Sequence, residues 1–330
     1  MQIAVLGGGS WGTALAHTAA LKGHSVTVLV RGDAVAREIR VNHTNEKYLP
    51  GCPVHPAVNA TADAGEALRG AALVVLAVPC QHLRAFLRGI AAFIPGDAAI
   101  ICASKGMELK THALMSRVVA EEMPAFSARY AILSGPSFAR EVMHSLPTAV
   151  VLGCGDQALA GRLRQELSSP VFRVYSSRDV VGVECGGALK NVVALAAGIA
   201  DGLGFGHNSR AALITRGLAE MSRLGVALGG EASTFMGLSG MGDLVLTATG
   251  DLSRNRQVGL RLGKGESLAD IIASMHHVAE GVPTTEAAYD LARERGIDLP
   301  ITGAMRSIFN GLTDPESAVR DLMGRALPEE

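Results

Sequence analysis

The chain has 330 residues, with 30 Lys+Arg against 31 Asp+Glu and a formal net charge of −1, so nothing pulls it globally toward nucleic acid or an anionic membrane. Apolar residues make up 48% and charged residues 18%, enough for a sizeable core and wrong for disorder. Aromatics at 4% are too few for a run of base-stacking platforms. Cys52, Cys80, Cys102, Cys154 and Cys185 are scattered, with no C-x-x-C pair, which argues against a disulfide scaffold or zinc site and for a reducing, cytoplasmic compartment. The start, Met1-Gln2-Ile3-Ala4-Val5-Leu6, has no basic n-region. No apolar run approaches ~18 residues, so a soluble protein without membrane insertion is expected.

In the first half, runs at 3–6, 26–30, 73–78, 98–103, 131–133 and 149–152 are nearly all apolar, not alternating. That texture predicts strands covered on both faces, hence a parallel sheet with helical crossovers. A further β-like run lies at 171–175. From about Val180 helical spacing takes over: Ile214, Leu218, Met221 and Leu224 mark one face, Leu268, Ile271, Ile272 and Met275 another, with Leu291, Met305, Ile308 and Leu322 in later ones. The expected plan is a Rossmann-type doubly wound α/β domain over 1–180 and an all-helical domain over 181–330, with a ligand cleft between them.

Gly7-Gly8-Gly9-Ser10-Trp11-Gly12 satisfies G-x-G-x-x-G directly after the first strand and before an apolar helical segment. Gly7 permits the tight turn, Gly9 lets the backbone approach a pyrophosphate, and Gly12 allows close helix–strand packing. The motif alone also fits a ligand-free glycine turn, but the second strand follows about 20 residues on, as a dinucleotide fold requires. Where an NAD site usually has Asp or Glu, at the end of that second strand, stands Arg31. A guanidinium suits the 2′-phosphate of NADP. Asp33 leaves use of NAD open, and a solvated surface arginine is the bland alternative.

Ser104-Lys105-Gly106 and Gly135-Pro136-Ser137-Phe138-Ala139 follow strands at their carboxyl ends, the functional edge of such a sheet, although each also reads as an ordinary turn. Lys190 is the only charge between Cys185 and Ala200, and Asp243 the only one between Thr234 and Thr249. Isolated opposite charges in apolar helix are expected to meet, as a structural pair or a catalytic one. Ser253-Arg254-Asn255-Arg256 opens a helix with an N-cap serine and two arginines, a good phosphate receptor or a capped surface helix. His276-His277 are adjacent and form no i, i+4 pair, and H-E-x-x-H is absent from the sequence, so no metal is expected.

On ordered blocks at 7–12, 45–51 with Tyr48-Leu49-Pro50-Gly51, 104–106, 135–141, 186–193, 202–217, 237–244, 253–256 and Glu280-Gly281, the sequence resembles the bacterial NAD(P)-dependent glycerol-3-phosphate dehydrogenases over essentially its full length. The resemblance implies interconversion of sn-glycerol 3-phosphate and dihydroxyacetone phosphate for phospholipid synthesis with NAD(P), of which Arg31 favours NADP and Asp33 leaves NAD open. It implies cofactor contacts at Ser10, Trp11, Arg31, Tyr48, Lys105, Ala139, Arg254, Val278 and Glu280, beside the motif glycines Gly7, Gly9 and Gly12; Ala279 replaces a commoner valine. It implies substrate contacts at Lys105, Gly135, Ser137, Lys190, Asp243, Ser253, Arg254 and Asn255, and a proton acceptor at Lys190. Burial and the cation Lys105 favour a neutral Lys190, Asp243 favours the ammonium, and the sequence leaves the balance open. Alternatives are a β-hydroxyacid dehydrogenase with a carboxylate substrate and a cofactor-sensing regulator. A homodimer through the helical domain is the working expectation, and residues 324–330 are expected to be a frayed tail.

Overall fold

The computed structural model describes residues 1–275 and 279–323. It divides into two compact units, Met1–Lys105 with Leu114–Val183, and Gly106–Ala113 with Glu184–Glu330. The first is built on β1 (Gln2–Leu6), β2 (Ser25–Leu29), β3 (Val58–Thr61), β4 (Leu73–Leu76), β5 (Ala99–Cys102), β6 (Tyr130–Ser134), β7 (Thr148–Gly153) and β8 (Phe172–Ser177). Its helices are α1 (Ser10–Leu21), α2 (Asp33–Arg37), α3 (Ala64–Leu68), α4 (Cys80–Ile90), α5 (Met115–Glu122), α6 (Ala139–Met143) and α7 (Gln157–Leu167).

The strands form one sheet in the order β3-β2-β1-β4-β5-β6-β7-β8. The central strands β4, β5 and β6 are buried at every residue, as continuous apolar runs require when helices cover both faces. The edge strands differ. β8 alternates buried and exposed over its first residues, and β3, Val-Asn-Ala-Thr, exposes its Asn. With only two apolar residues in four, β3 shows no run in the sequence and escapes the pattern reading.

The expected all-parallel arrangement is corrected at one ladder: β7 pairs antiparallel to β6, Leu133 opposite Leu152, and β8 then follows β7 in parallel. The physical reason is that an unbroken apolar run reports burial on both faces and not strand direction: the connection 135–147, with the five-residue α6 in it, turns back, and the chain re-enters the sheet from the edge it left.

The second unit contains most of α8 (Val180–Gly202), then α9 (His207–Ala227), α10 (Ala232–Phe235), α11 (Asp243–Thr249), α12 (Arg254–Gly263), α13 (Leu268–Ser274), α14 (Gly281–Glu294), α15 (Pro300–Phe309) and α16 (Pro315–Met323). α8 alone among the described helices is long and apolar enough to cross a membrane, but 89% of its most apolar stretch is buried inside the protein; a helix apolar all round is here the centre of a bundle. Val192, Leu195 and Ile199 of α8 form the core with Val258 and Leu262 of α12, Ile271 of α13 and Ile301 and Met305 of α15. The periodicity reading of Ile272 as a core position is not met, since it is exposed. All five cysteines are buried, and none is in a disulfide.

α8 and α12 touch backbone to backbone. A Cβ on Gly198 would stand 2.1 Å from the Arg256 carbonyl oxygen, and one on Gly202 2.4 Å from that of Leu260. Reciprocally, a Cβ on Gly259 would meet the Leu195 oxygen at 2.1 Å and one on Gly263 the Ile199 oxygen at 2.4 Å. Two glycines one turn apart on each helix therefore set the spacing, and no side-chain rearrangement can relieve a clash with a carbonyl. Glu220 of α9 supports the same bundle, its buried carboxylate accepting from the Ile301 and Thr302 N–H groups that open α15. Burial pushes that carboxyl above the usual range, against the pull of these hydrogen bonds.

Two outcomes are expected. Gly198→Ala lowers stability by about 1–3 kcal/mol, the usual cost of overpacking, whereas Gly89→Ala in α4, where an added Cβ meets no described atom within 4 Å, raises it by about 0.5–1 kcal/mol; denaturant unfolding midpoints measure both. In the first unit Arg88 and Arg84 of α4 hold the Glu122 carboxyl of α5 at about 2 through hydrogen bonds. A depressed carboxyl stabilises fully above its ordinary 4.5 and loses that contribution as pH falls toward 2. Glu122→Gln should therefore flatten the decline of melting temperature across that acid window, followed by thermal melts in steps of pH.

Candidate active site

The register of the parallel ladders brings the ends of β1, β2, β4, β5 and β6 to one edge: Leu6 faces Leu29 and Leu76, Leu76 faces Cys102, and Cys102 faces Ile132. The glycine-rich loop leaves β1 at this edge. Gly7 has φ +117°, and a Cβ there would lie 2.6 Å from the Ala77 oxygen; on Gly8 it would lie 2.4 Å from Val30 Cγ1, and on Gly12 1.9 Å from the Gly7 oxygen. Packing thus demands three of these glycines. Gly9 is different, because a Cβ there meets no described atom within 4 Å. Gly9 is also the residue before α1, whose first turn carries no side-chain cap and no acidic residue among the described residues. Free N–H donors, a helix dipole and an unfilled approach fit the pyrophosphate of a dinucleotide.

The remaining positions expected to meet ligand in the first unit line the same edge or the segment beside it. Ser10 Oγ donates to the Tyr48 carbonyl oxygen at 2.7 Å, and Trp11 packs against the sheet core with its Nε1 buried and unbonded among the described residues. Tyr48 is half-buried, with the Lys47 Nζ 5.2 Å from its ring centroid. Arg31, past the end of β2, is exposed. Lys105 Nζ donates to the Gly135 carbonyl oxygen at 3.1 Å, and Ser137 Oγ donates to the same oxygen at 2.9 Å. Gly135 itself has φ +134°, and a Cβ would stand 2.9 Å from Val150 Cα, so the turn that presents this carbonyl requires glycine. Ala139 opens α6.

In the second unit the two isolated charges meet. Lys190 Nζ donates to the Asp243 carboxylate in a short contact and to Thr247 Oγ1 at 3.0 Å. Lys190 is 7% exposed and Asp243 1%. Thr247 Oγ1 donates its own proton to the Asp243 carbonyl oxygen at 2.6 Å, so it can only accept from the lysine. Asp243 follows a π-helical turn, Leu238–Gly242, of the kind that recurs at functional sites. Gly186, one turn before Lys190, lets that segment close on α8: a Cβ there would lie 2.4 Å from the Ser239 oxygen. Thr247 was not singled out from the sequence, though its i, i+4 spacing from Asp243 on a helix is the signal that would have found it.

Ser253 caps α12, its Oγ accepting from the Arg256 N–H at 3.2 Å. Asn255 is buried, with Nδ2 donating to Asn191 Oδ1 at 2.8 Å and Oδ1 accepting from the Gly281 N–H at 3.0 Å. The sequence reading of two arginines in one anion receptor is corrected here. Arg256 is buried and spent on carboxylates, with Nε 2.9 Å and Nη2 2.8 Å from Asp201 and Nη1 2.8 Å from Asp251. Arg254 is left as the cation at the exposed helix start. Its crowded surroundings lower its pKa and Glu280 opposes that, and the guanidinium stays charged at neutral pH. Val278, like His276, His277 and residues 324–330, lies outside the described residues. Among the described residues no group of three or more metal-ligating side chains occurs.

Residues 2–160 match the family model described as NAD-dependent glycerol-3-phosphate dehydrogenase N-terminus, and residues 179–320 match the corresponding C-terminus. Glycerol-3-phosphate dehydrogenase [NAD(P)+] of Oleidesulfovibrio alaskensis is 58% identical over 330 residues, all of both chains. That of Nitratidesulfovibrio vulgaris is 57% identical over the same length. The crystal structure of glycerol-3-phosphate dehydrogenase from Coxiella burnetii is 38% identical with a TM-score of 0.93, covering 98% of this chain and 99% of that one. With both family segments in order along one chain and close relatives matched end to end, the protein belongs to the NAD-dependent glycerol-3-phosphate dehydrogenase family.

Proposed function

We propose that this protein interconverts dihydroxyacetone phosphate and sn-glycerol 3-phosphate with NAD(P)H, making the backbone for phospholipid synthesis. One observation carries the reading: a buried ammonium, Lys190, is locked by Asp243 and Thr247, and the neighbouring Asn191 is bonded to Asn255, beside the phosphate-seeking Arg254. A proton donor and an anion receptor on one rigid frame suit a small ketone that carries a phosphate.

When bound, the nicotinamide supplies or accepts the hydride. The chain supplies the rest. As negative charge gathers on the carbonyl oxygen, the Lys190 ammonium stabilises it and then protonates it; in the other direction neutral Lys190 takes the hydroxyl proton. Asp243 holds the lysine and orients substrate. Ser253, Arg254 and Asn255 clamp the phosphate at the start of α12, with Lys105, Gly135 and Ser137 as further substrate contacts. On the cofactor side Gly7 and Gly12 shape the loop, Gly9, Ser10 and Trp11 receive the pyrophosphate, Arg31 and Tyr48 the adenosine end, and Lys105, Ala139, Arg254, Val278 and Glu280 the remainder. Exposed Arg31 at the end of β2 favours NADP, and nearby Asp33 leaves NAD usable. Five buried cysteines without a disulfide support a reducing cytoplasmic setting, and we take the assembly to be a homodimer formed through the second unit.

Purified protein should oxidise NADPH faster than NADH with dihydroxyacetone phosphate, followed at the reduced-nicotinamide absorbance. Arg31→Ala should cut the ratio of the two rates by about tenfold, and Arg254→Ala should raise KM for the phosphate substrate by about 10–100-fold, as expected when a hydrogen bond to a charged group worth about 1.5–3 kcal/mol is lost. Folded protein that oxidises neither cofactor would rule the assignment out.

A further inference from the structure

Asn45 has no place in the chemistry above, yet it is 0% exposed and spends its amide on the glycine-rich loop. Its Nδ2 donates to the Gly8 carbonyl oxygen at 2.9 Å and to Thr13 Oγ1 at 2.8 Å. One contact grips the loop and the other braces the asparagine against the first turns of α1. The Gly8–Gly9 peptide is trans. In a trans peptide the carbonyl of one residue and the N–H of the next point in opposite directions. Holding the Gly8 carbonyl inward therefore turns the Gly9 N–H outward, toward the side where a Gly9 Cβ would meet no described atom.

We propose that Asn45 is a positioning residue for the cofactor: its amide fixes the Gly8–Gly9 peptide plane so that the Gly9 N–H is aimed in advance at the pyrophosphate. The inference rests on the cofactor reading above and adds the device that makes the loop rigid. Glycine has more backbone freedom to lose than any other residue, and a donor that must be oriented at the moment of binding costs affinity. Asn45 removes that cost from outside the loop, 37 residues along the chain from Gly8. Ser10 Oγ, bonded to the Tyr48 carbonyl, ties the same segment to α1 a second time but leaves the Gly8–Gly9 plane untouched.

The test is calorimetric titration with NADPH of wild type, Asn45→Asp, Asn45→Ala and His17→Ala, each shown folded by circular dichroism at the titration temperature. His17 is the control, because its Nδ1 accepts from the His55 N–H at 3.1 Å and anchors the same segment without touching Gly8. Both Asn45 variants should bind NADPH at least tenfold more weakly, with KM for dihydroxyacetone phosphate within about twofold of wild type, and His17→Ala should bind NADPH as wild type does. Equal weakening in His17→Ala and the Asn45 variants, or unchanged binding in the Asn45 variants, would overturn the proposal. Should the Asn45 variants not fold, amide hydrogen exchange on wild type decides: NADP must slow exchange at Gly9, and an unchanged rate there contradicts the inference. Wild type that binds no nicotinamide cofactor would defeat the cofactor reading itself, an outcome distinct from either.

Discussion

A lysine ammonium is the last group a protein core should hold, and the second unit is organised around holding one. Lys190 is placed in the middle of α8, among residues buried from Val183 to Ala200, where an unpaired charge would be prohibitive. Asp243 and Thr247 answer it from a single helix one turn apart. Removing one member of a buried pair typically costs about 3–5 kcal/mol, so the pair cannot open without disturbing the unit. Everything that brings α11 to α8 serves it: the π-helical turn before Asp243, and Gly186, where a Cβ would strike the Ser239 carbonyl. The same helix carries Asn191, and through Asn255 it also fixes α12 and the turn at Gly281. The proposed proton donor and anion receptor are thereby held on one scaffold, whose spacing is set by glycines against carbonyls.

The two units solve their tasks with different materials. In the first, the proposed recognition falls to backbone: a loop of glycines, the unfilled amino end of α1, and the Gly135 carbonyl fixed by Lys105 and Ser137. Backbone donors keep fixed positions and suit a ligand with a constant phosphate core. In the second, charged side chains predominate, and each is either buried in a pair or left at a helix start. Arg254 and Arg256 illustrate the division. They sit two residues apart, yet one is neutralised by Asp201 and Asp251 and the other remains available.

Much of this was legible in the sequence. The central strands declared themselves as unbroken apolar runs, the glycine motif stood in the right strand–turn–helix context, and Lys190 and Asp243 were conspicuous as lone charges. What stayed hidden depends on contacts between distant residues. β3 is short and half polar, and only its pairing with β2 makes it a strand. The reversal at β7 shows only in its ladder with β6, because an apolar run reports burial and not strand direction. Arg256 is chemically identical to Arg254 until Asp201, 55 residues away, is brought against it. Asn45 reads as one more loop residue until its amide meets Gly8.

Lys190 is the proposed carrier of the proton, and the buried pair around it is the feature to probe first. The most direct measurement is single-turnover oxidation of bound NADPH by dihydroxyacetone phosphate in Lys190→Ala, with cofactor affinity checked by titration. Loss of a general acid predicts a fall of about 10²-fold or more in the rate with NADPH affinity retained. A rate equal to wild type in folded, cofactor-binding protein would contradict the mechanism and leave the buried pair as architecture alone.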